Sequence, residues 1–325
     1  MKTQKFYDLE VKNDHFIEDY KENFAAGYNY EYDRLLRRIS RIIKSEFGRR
    51  VTLSQVGQIK REVQDEIQQF VERLVNLSES ELSEFQELFH ESLSEIHNIV
   101  DPGITPPAFQ PVRGFMNKNH PIERGKVISI QSMILSTAAV LYQDISNIVS
   151  RMNILEEDVA VLGNYYESAT QKTRNNISAI GVTAVALSLG FVRDNYFRRA
   201  GDIIGHQHIS VLDSATTEVC QFRHSKVWYY DDKMSHLSTL PDSVTPPLHH
   251  RCRSEAIPLF RGDDILPEET YQQWFERQDN VTKREILGKE RYQLYNEGTL
   301  KLSQFTDRQG SRIKLDELRS RIIRT

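Results

Sequence analysis

Apolar side chains recur every three or four positions over most of this chain, the spacing of one helical face. Between Arg34 and Phe47 the stripe is Leu35, Leu36, Ile39, Ile42, Ile43 and Phe47, with Arg34, Arg37, Arg38, Arg41 and Lys44 on the other side. A second stripe runs through Val56, Ile59, Val63, Ile67, Phe70, Leu74 and Leu77. Ser78 followed by Glu81 has the form of a capping box, which predicts a fresh helix start there. That helix carries Leu82, Phe85, Phe89, Leu93 and Ile96. Two stripes joined at a short break predict an antiparallel helical hairpin. Helical spacing resumes from Ser129 to Ala200, with Ile134, Leu135, Ala138, Leu141, Ile145 and Ile148 on one stripe and Ile177, Ile180, Ala184, Leu187 and Phe191 on another. From His208 to Phe260 the texture changes to the short runs HISVLD, KVWYY and EAIPLF, which predict strands. After Pro267 a helix is expected through Trp274, Phe275, Ile286 and Leu287.

Proline placement divides these elements. All ten prolines lie between Pro102 and Pro121 or between Pro241 and Pro267. The other stretches escape the roughly 3 kcal/mol that an interior proline costs a helix. Asp101 to Pro121 holds five of the prolines and two glycines, which oppose both helix and central strand. The expected fold class is therefore α+β and predominantly helical. A helical arm or hairpin over 1–100 and a proline-rich linker over 101–125 precede an α+β domain with a few short strands over 126–325.

Composition narrows the functional classes. The 325 residues are 39% hydrophobic, with a mean hydropathy of −0.53, values that suit an elongated helical protein better than a compact enzyme. A net charge of −4 opposes general coating of DNA, which needs many Lys or Arg contacts to phosphate. The first residues, MKTQKFYDLEVKNDHF, lack the apolar stretch of a signal peptide, and no membrane span is expected.

The candidate chemistry gathers around the two cysteines, Cys220 and Cys252. Their neighbours His224 and His249, with His250 as an alternative, complete a possible set of four soft ligands. Structural zinc is the cofactor that such a set allows. Two reduced structural thiols, or a disulfide, explain the same residues, and a cysteine pair in a reducing compartment is more often a metal site than a disulfide. No catalytic set is expected. The His249-His250 pair before a strand-like run has the look of a histidine-metal nuclease, but no histidine follows it to complete the ligand set. Glu79-Ser80-Glu81 has the Glu-x-Glu spacing of ADP-ribosyltransferases, yet reads as an acidic helix start that the helix dipole favours. Thr216 and Thr217 suit turn capping better than nucleophilic attack, because no base is paired with them. The basic stripe from Arg34 to Lys44 is either a solvated face or a contact for phosphate.

Three ordered elements carry a resemblance. The first is Asp213-Ser214-Ala215-Thr216-Thr217 with Cys220 three residues on. The second is Pro246-Pro247-Leu248-His249-His250-Arg251-Cys252-Arg253. The third is Trp274, then Leu287-Gly288-Lys289-Glu290-Arg291, Leu294, Gly298 and Leu300. Together they resemble the phage Mu protein F-like family of minor head proteins over roughly Ser129 to Leu318. Ala215 replaces the family's arginine, and His250-Arg251 replaces its Pro-Asn pair. The resemblance implies a minor capsid protein acting in head morphogenesis of a tailed bacteriophage, made in the host cytoplasm and housed in the virion at the capsid interior or portal vertex. Its implied partners are the portal protein, other capsid or scaffold proteins, and packaged DNA, with which it could be ejected. A metal-dependent nuclease or another effector delivered with the genome is the alternative.

Overall fold

The computed structural model describes all residues except 45–50, 113, 123–125, 155–158, 250–251, 268, 308–312 and 323–325. Phe47 of the first stripe lies outside the described residues. The fold is α+β and predominantly helical, as the periodicity predicts. Two compact units make it up, and neither is a continuous piece of chain. The first combines Met1–Lys12, His90–Ala108 and Gly190–Thr325; the second combines Asn13–Phe89 and Phe109–Leu189. The expected division into an arm over 1–100, a linker and a domain over 126–325 differs from this one. Long helices carry the chain past the proline-rich segment, so residues far apart in sequence share a core.

The second unit is a helical stack. Helix α1 (Lys2–Lys44) and helix α2 (Leu53–Val100) each contribute part of their length to it. Their contacts run in opposite senses: Tyr20 stacks on Phe85 with ring centres 4.2 Å apart, Arg73 Nε donates to Glu31 at 2.6 Å, and Arg38 meets Glu66 at 3.0 Å. Partners fall in number on α2 as they rise on α1, so the pair is antiparallel. The hairpin is thus α1 against α2, and the break expected at Ser78 does not occur. Instead of capping a new helix, the Ser78 hydroxyl donates back to the Leu74 carbonyl at 2.6 Å and meets the buried Tyr28 hydroxyl. A serine that bonds the preceding turn in this way stays inside a continuous helix.

Helix α3 (Ile130–Ile154) buries Ile134, Leu141 and Ile145, and helix α4 (Val159–Arg199) lies antiparallel to α1. Tyr32 donates to the Thr170 carbonyl at 2.9 Å, and Ser40 meets Tyr166 at 3.0 Å. Gly181 permits the approach, since a Cβ there would come within 3.1 Å of Ala25 Cα. Strand β1 (His120–Ile122) and strand β2 (Lys126–Ile128) form a small antiparallel ribbon at the end of an otherwise irregular proline-rich segment. In α4, residues 161–199 include a window apolar and long enough to cross a membrane, and 61% of that window is buried within the fold. Burial of that kind is the pattern of a core helix.

The first unit holds the strands. Strand β3 (Ile203–Ile209) lies between strand β4 (Val227–Tyr229) and strand β5 (Glu255–Phe260), all antiparallel. The HISVLD run is strand only over its first two residues, and the rest forms the turn that begins the candidate site. Helix α5 (Glu218–Arg223) sits between β3 and β4. Three segments close over this sheet. Phe6 packs its fully buried ring between Phe197 and Phe260 at 6.1 and 5.9 Å. His97 bonds Tyr196 and Asp202, each at 3.0 Å. Arg193 bonds Glu10 at 2.7 Å and Glu255 at 3.5 Å.

Past the sheet, helix α6 (Tyr271–Arg277), helix α7 (Asn280–Leu287), helix α8 (Lys289–Asn296) and helix α9 (Leu315–Ile322) surround a separate core of Phe275, Leu287, Leu300, Phe305 and Leu318. The single helix expected after Pro267 is therefore divided. Asp279 starts α7 by accepting from Thr282 N at 2.7 Å, and Gly288, at φ 76°, turns α7 into α8.

Removing the Phe6 ring should leave a cavity between α4 and β5. Phe6→Ala is expected to lower stability by about 3–5 kcal/mol in chemical denaturation. A loss below about 1 kcal/mol would mean that the first turns of α1 are dispensable to this core.

Candidate metal centre

The turn after β3 is built from its own side chains. Asp213 accepts from the Ala215 amide at 2.9 Å, and its own amide donates to Thr216 Oγ1 at 2.9 Å. Thr216 then donates to the Val211 carbonyl at 2.5 Å. Thr217 precedes α5, whose short run places Cys220 on its inner side. Ser210 bonds the Cys220 carbonyl at 3.1 Å and the Ser254 hydroxyl at 2.9 Å. Arg253 forks onto Asp213 with both contacts at 2.7 Å. The turn that carries Cys220 and the segment that carries Cys252 are thus fastened on both sides of the thiols.

The segment before Cys252 is placed by two further devices. Buried Arg223 at the end of α5 donates to both oxygens of Asp242 at 2.6 and 2.7 Å, and to the Val244 carbonyl at 3.2 Å. Gly190 on α4 lets the Pro246-Pro247 turn approach, since a Cβ there would lie 2.0 Å from the Pro246 carbonyl oxygen. Leu248 then packs with the two cysteines, flanked by Val219 and Val244.

Cys220 Sγ, His249 Nε2 and Cys252 Sγ all lie within 4.8 Å of one another, close enough to hold a metal ion. The sulfurs are 3.7 Å apart and unbonded, and Nε2 is 3.1 Å from Cys220 Sγ. A tetrahedral ion with metal–sulfur bonds of about 2.3 Å has a sulfur–sulfur edge of about 3.8 Å, so the donor set fits. Thr217 Oγ1 stands 2.8 Å from the same Nε2, so a metal taking that nitrogen would displace the hydroxyl from it. The sulfurs share a proton unequally. Contact with Cys252, then burial, pushes the Cys220 thiol up, whereas the hydrogen bond from Cys220 holds Cys252 well below the ordinary thiol range. A thiol whose ionisation is eased by its neighbour is the form a soft metal binds.

His224 does not join the group. Its Nδ1 accepts from the Ser210 amide at 2.9 Å and its Nε2 donates to the Glu269 carbonyl at 2.8 Å, so both nitrogens serve backbone. The Cys-x3-His spacing that suggested it as a ligand lies across the end of α5, where the chain turns away. His250, the alternative ligand, lies outside the described residues.

Sequence reasoning passed over His206 and His208, neighbours on one face of β3. Burial lowers His206 to about 3 and puts His208 well below the usual histidine range, so both are neutral. Among the described residues, neither ring nitrogen of His208 has a protein partner. Alternation along β3 could have placed both on one face, but not in the interior. Arg223 and Asp242 were missed because nothing in their spacing marks a pair.

Thr216 serves the turn, as expected, whereas Thr217 makes no capping bond and turns its hydroxyl to His249. In the third motif, Arg291 donates to the Ile313 carbonyl at 2.9 Å, and Gly298, at φ 72°, follows α8. Comparison with protein-family models, with curated proteins and with solved structures finds no match to this chain.

Two histidine variants separate ligand from brace. With cobalt(II) as the probe, Cys252→Ser and His249→Ala should lose the thiolate-to-cobalt charge-transfer absorption or weaken binding more than 10-fold. His224→Ala should keep that absorption while losing about 1–3 kcal/mol of stability, because it strands one buried donor and one acceptor. Equal loss of the absorption in all three would put His224 back among the ligands.

Proposed function

We propose that this chain is a minor capsid protein of a tailed bacteriophage, acting in head morphogenesis at the portal, with structural zinc held by Cys220, His249 and Cys252. The observation that carries this reading is what the motif residues do. Asp213 and Arg253 fasten to each other, Thr216 closes the turn, Gly288 and Gly298 take left-handed backbone, and Arg291 holds a carbonyl. They resemble a family's motif, and each acts as a fastening within the first unit rather than as part of a reacting centre. Fastenings of this kind hold the shape of a surface, which supports a structural and interaction role.

Zinc is favoured among metals by the ligand set, two sulfurs and an imidazole. Cys220, His249 and Cys252 would bind it, and it would cross-link the two loops. Among the described residues three donors reach the centre, which leaves one position of a tetrahedron for water or another group. That open position is the feature that keeps the metal-dependent effector in play as the second reading.

Partner contact is assigned to the helical surface. Arg37 and Arg41 face solvent, whereas Arg38 pairs with Glu66. Charges this few suit weak, salt-sensitive contact with packaged DNA and leave the main affinity to the portal and other capsid or scaffold proteins. Virion residence, in the capsid interior or at the portal vertex, follows from the same reading.

The test is an induced lysogen carrying the gene, its heads purified and analysed by mass spectrometry. The chain is expected in low copy with the portal protein, and the double variant Cys220→Ser/Cys252→Ser should reduce its incorporation several-fold. Heads that never contain the chain, and that assemble and fill normally without it, would overturn the proposal. Cleavage of plasmid DNA by the purified protein, dependent on divalent metal and lost in His249→Ala, would move the assignment to the effector reading.

A further inference from the structure

Helix α5 has two working sides. Cys220 faces the sulfur cluster, while Glu218 and Phe222 face a cavity of 470 Å³ that the α6–α8 region closes from the opposite side. The volume falls in the usual range for a small-molecule site, about 300–1,000 Å³. Phe222, Ile286 and Phe305 supply its apolar walls, and two cations, Lys226 and Arg291, reach it with one carboxylate, Glu218. Arg291 already holds the Ile313 carbonyl. Lys226 differs: its ammonium lies over the Phe222 ring, 3.2 Å from the centroid, and among the described residues no carboxylate pairs with it. Burial, then the Arg223 guanidinium, lowers its pKa to about 8. A half-buried ammonium parked on an aromatic face beside an apolar hollow lacks the anion that would complete it.

We propose that this cavity binds a small organic monoanion with an apolar body, of the class of aliphatic or aromatic carboxylic acids. Its carboxylate would sit on Lys226 and its body against Phe222, Ile286 and Phe305. The Glu218 carboxylate offsets one of the two cations at the cavity, so a monoanion suits it better than the dianion of a phosphate ester. The site lies on the face of α5 away from the thiols, so the inference stands apart from both the metal and the head-assembly role.

The probe is 8-anilinonaphthalene-1-sulfonate, an aromatic monoanion, set against its neutral relative N-phenyl-1-naphthylamine. The protein carries Trp228→Phe, which leaves Trp274 as donor, stacked on the cavity residue Tyr271 at 5.4 Å. One anionic probe per chain should bind, with energy transfer from Trp274, and decanoate should displace it where decanol does not. Lys226→Met should weaken the anionic probe at least 10-fold and leave the neutral one within 2-fold, whereas Lys226→Arg should retain binding. Unchanged thermal midpoints confirm that these variants fold. Cys220→Ser/Cys252→Ser should bind as the parent does. Equal affinity for the two probes in the parent, or no effect of Lys226→Met, overturns the proposal.

Discussion

The guanidinium of Arg193 joins three stretches of chain that are otherwise distant in sequence. It sits on α4, with Glu10 from α1 and Glu255 at the start of β5, and both Arg193 and Glu10 are almost wholly buried. Taking such charges out of water is costly, and the pair earns its place only when every member is present. Apolar packing alone tolerates many arrangements of comparable area; a buried ion pair tolerates few. Arg193 therefore specifies which residues meet, and the rings of Phe6, Phe197 and Phe260 supply the area once they do. Correct placement of β5 matters beyond its own sheet, because Cys252 and Ser254 lie immediately before it.

The candidate metal centre is a consequence of that placement. Nothing in α5 alone brings Cys220 to Cys252; the approach is imposed by Arg253 on Asp213, Ser210 on Ser254, Arg223 on Asp242, and the bare backbone of Gly190 under the prolines. These contacts come from side chains of quite different chemistry, yet each limits the same distance between two loops. A metal ion added there would reinforce a geometry that already exists, unlike the small domains whose fold appears only on metal binding.

Much of the fold was legible in the sequence because periodicity is a local property. Most of the stripes along α1 to α4 and the strand-like runs KVWYY and EAIPLF sit where the pattern placed them, although Leu135 of the α3 stripe is exposed. Failures came where a residue had two local meanings and a distant partner chose between them. Ser78 can cap a helix or bond back into one, and the Tyr28 hydroxyl on α1 selects the second. His224 can ligate a metal or brace a loop, and the amide of Ser210 with the carbonyl of Glu269 takes both nitrogens. The unit boundaries were illegible for the same reason. Proline density marks where helices stop, whereas compactness depends on which helices return to the same core.

That interleaving gives the two units different schedules during synthesis. Residues 13–189 contain everything that the second unit needs, so its helices can pair while later codons are still being read. The first unit cannot close until Glu255 and Phe260 have been made, and Phe6 and Glu10, made long before, must wait for them. For that interval an amphipathic segment stands without its partners, exposed to chaperones and to neighbouring nascent chains. The first turns of α1 are thus made well before the strand and helix end that hold them, and are among the last elements to find their place.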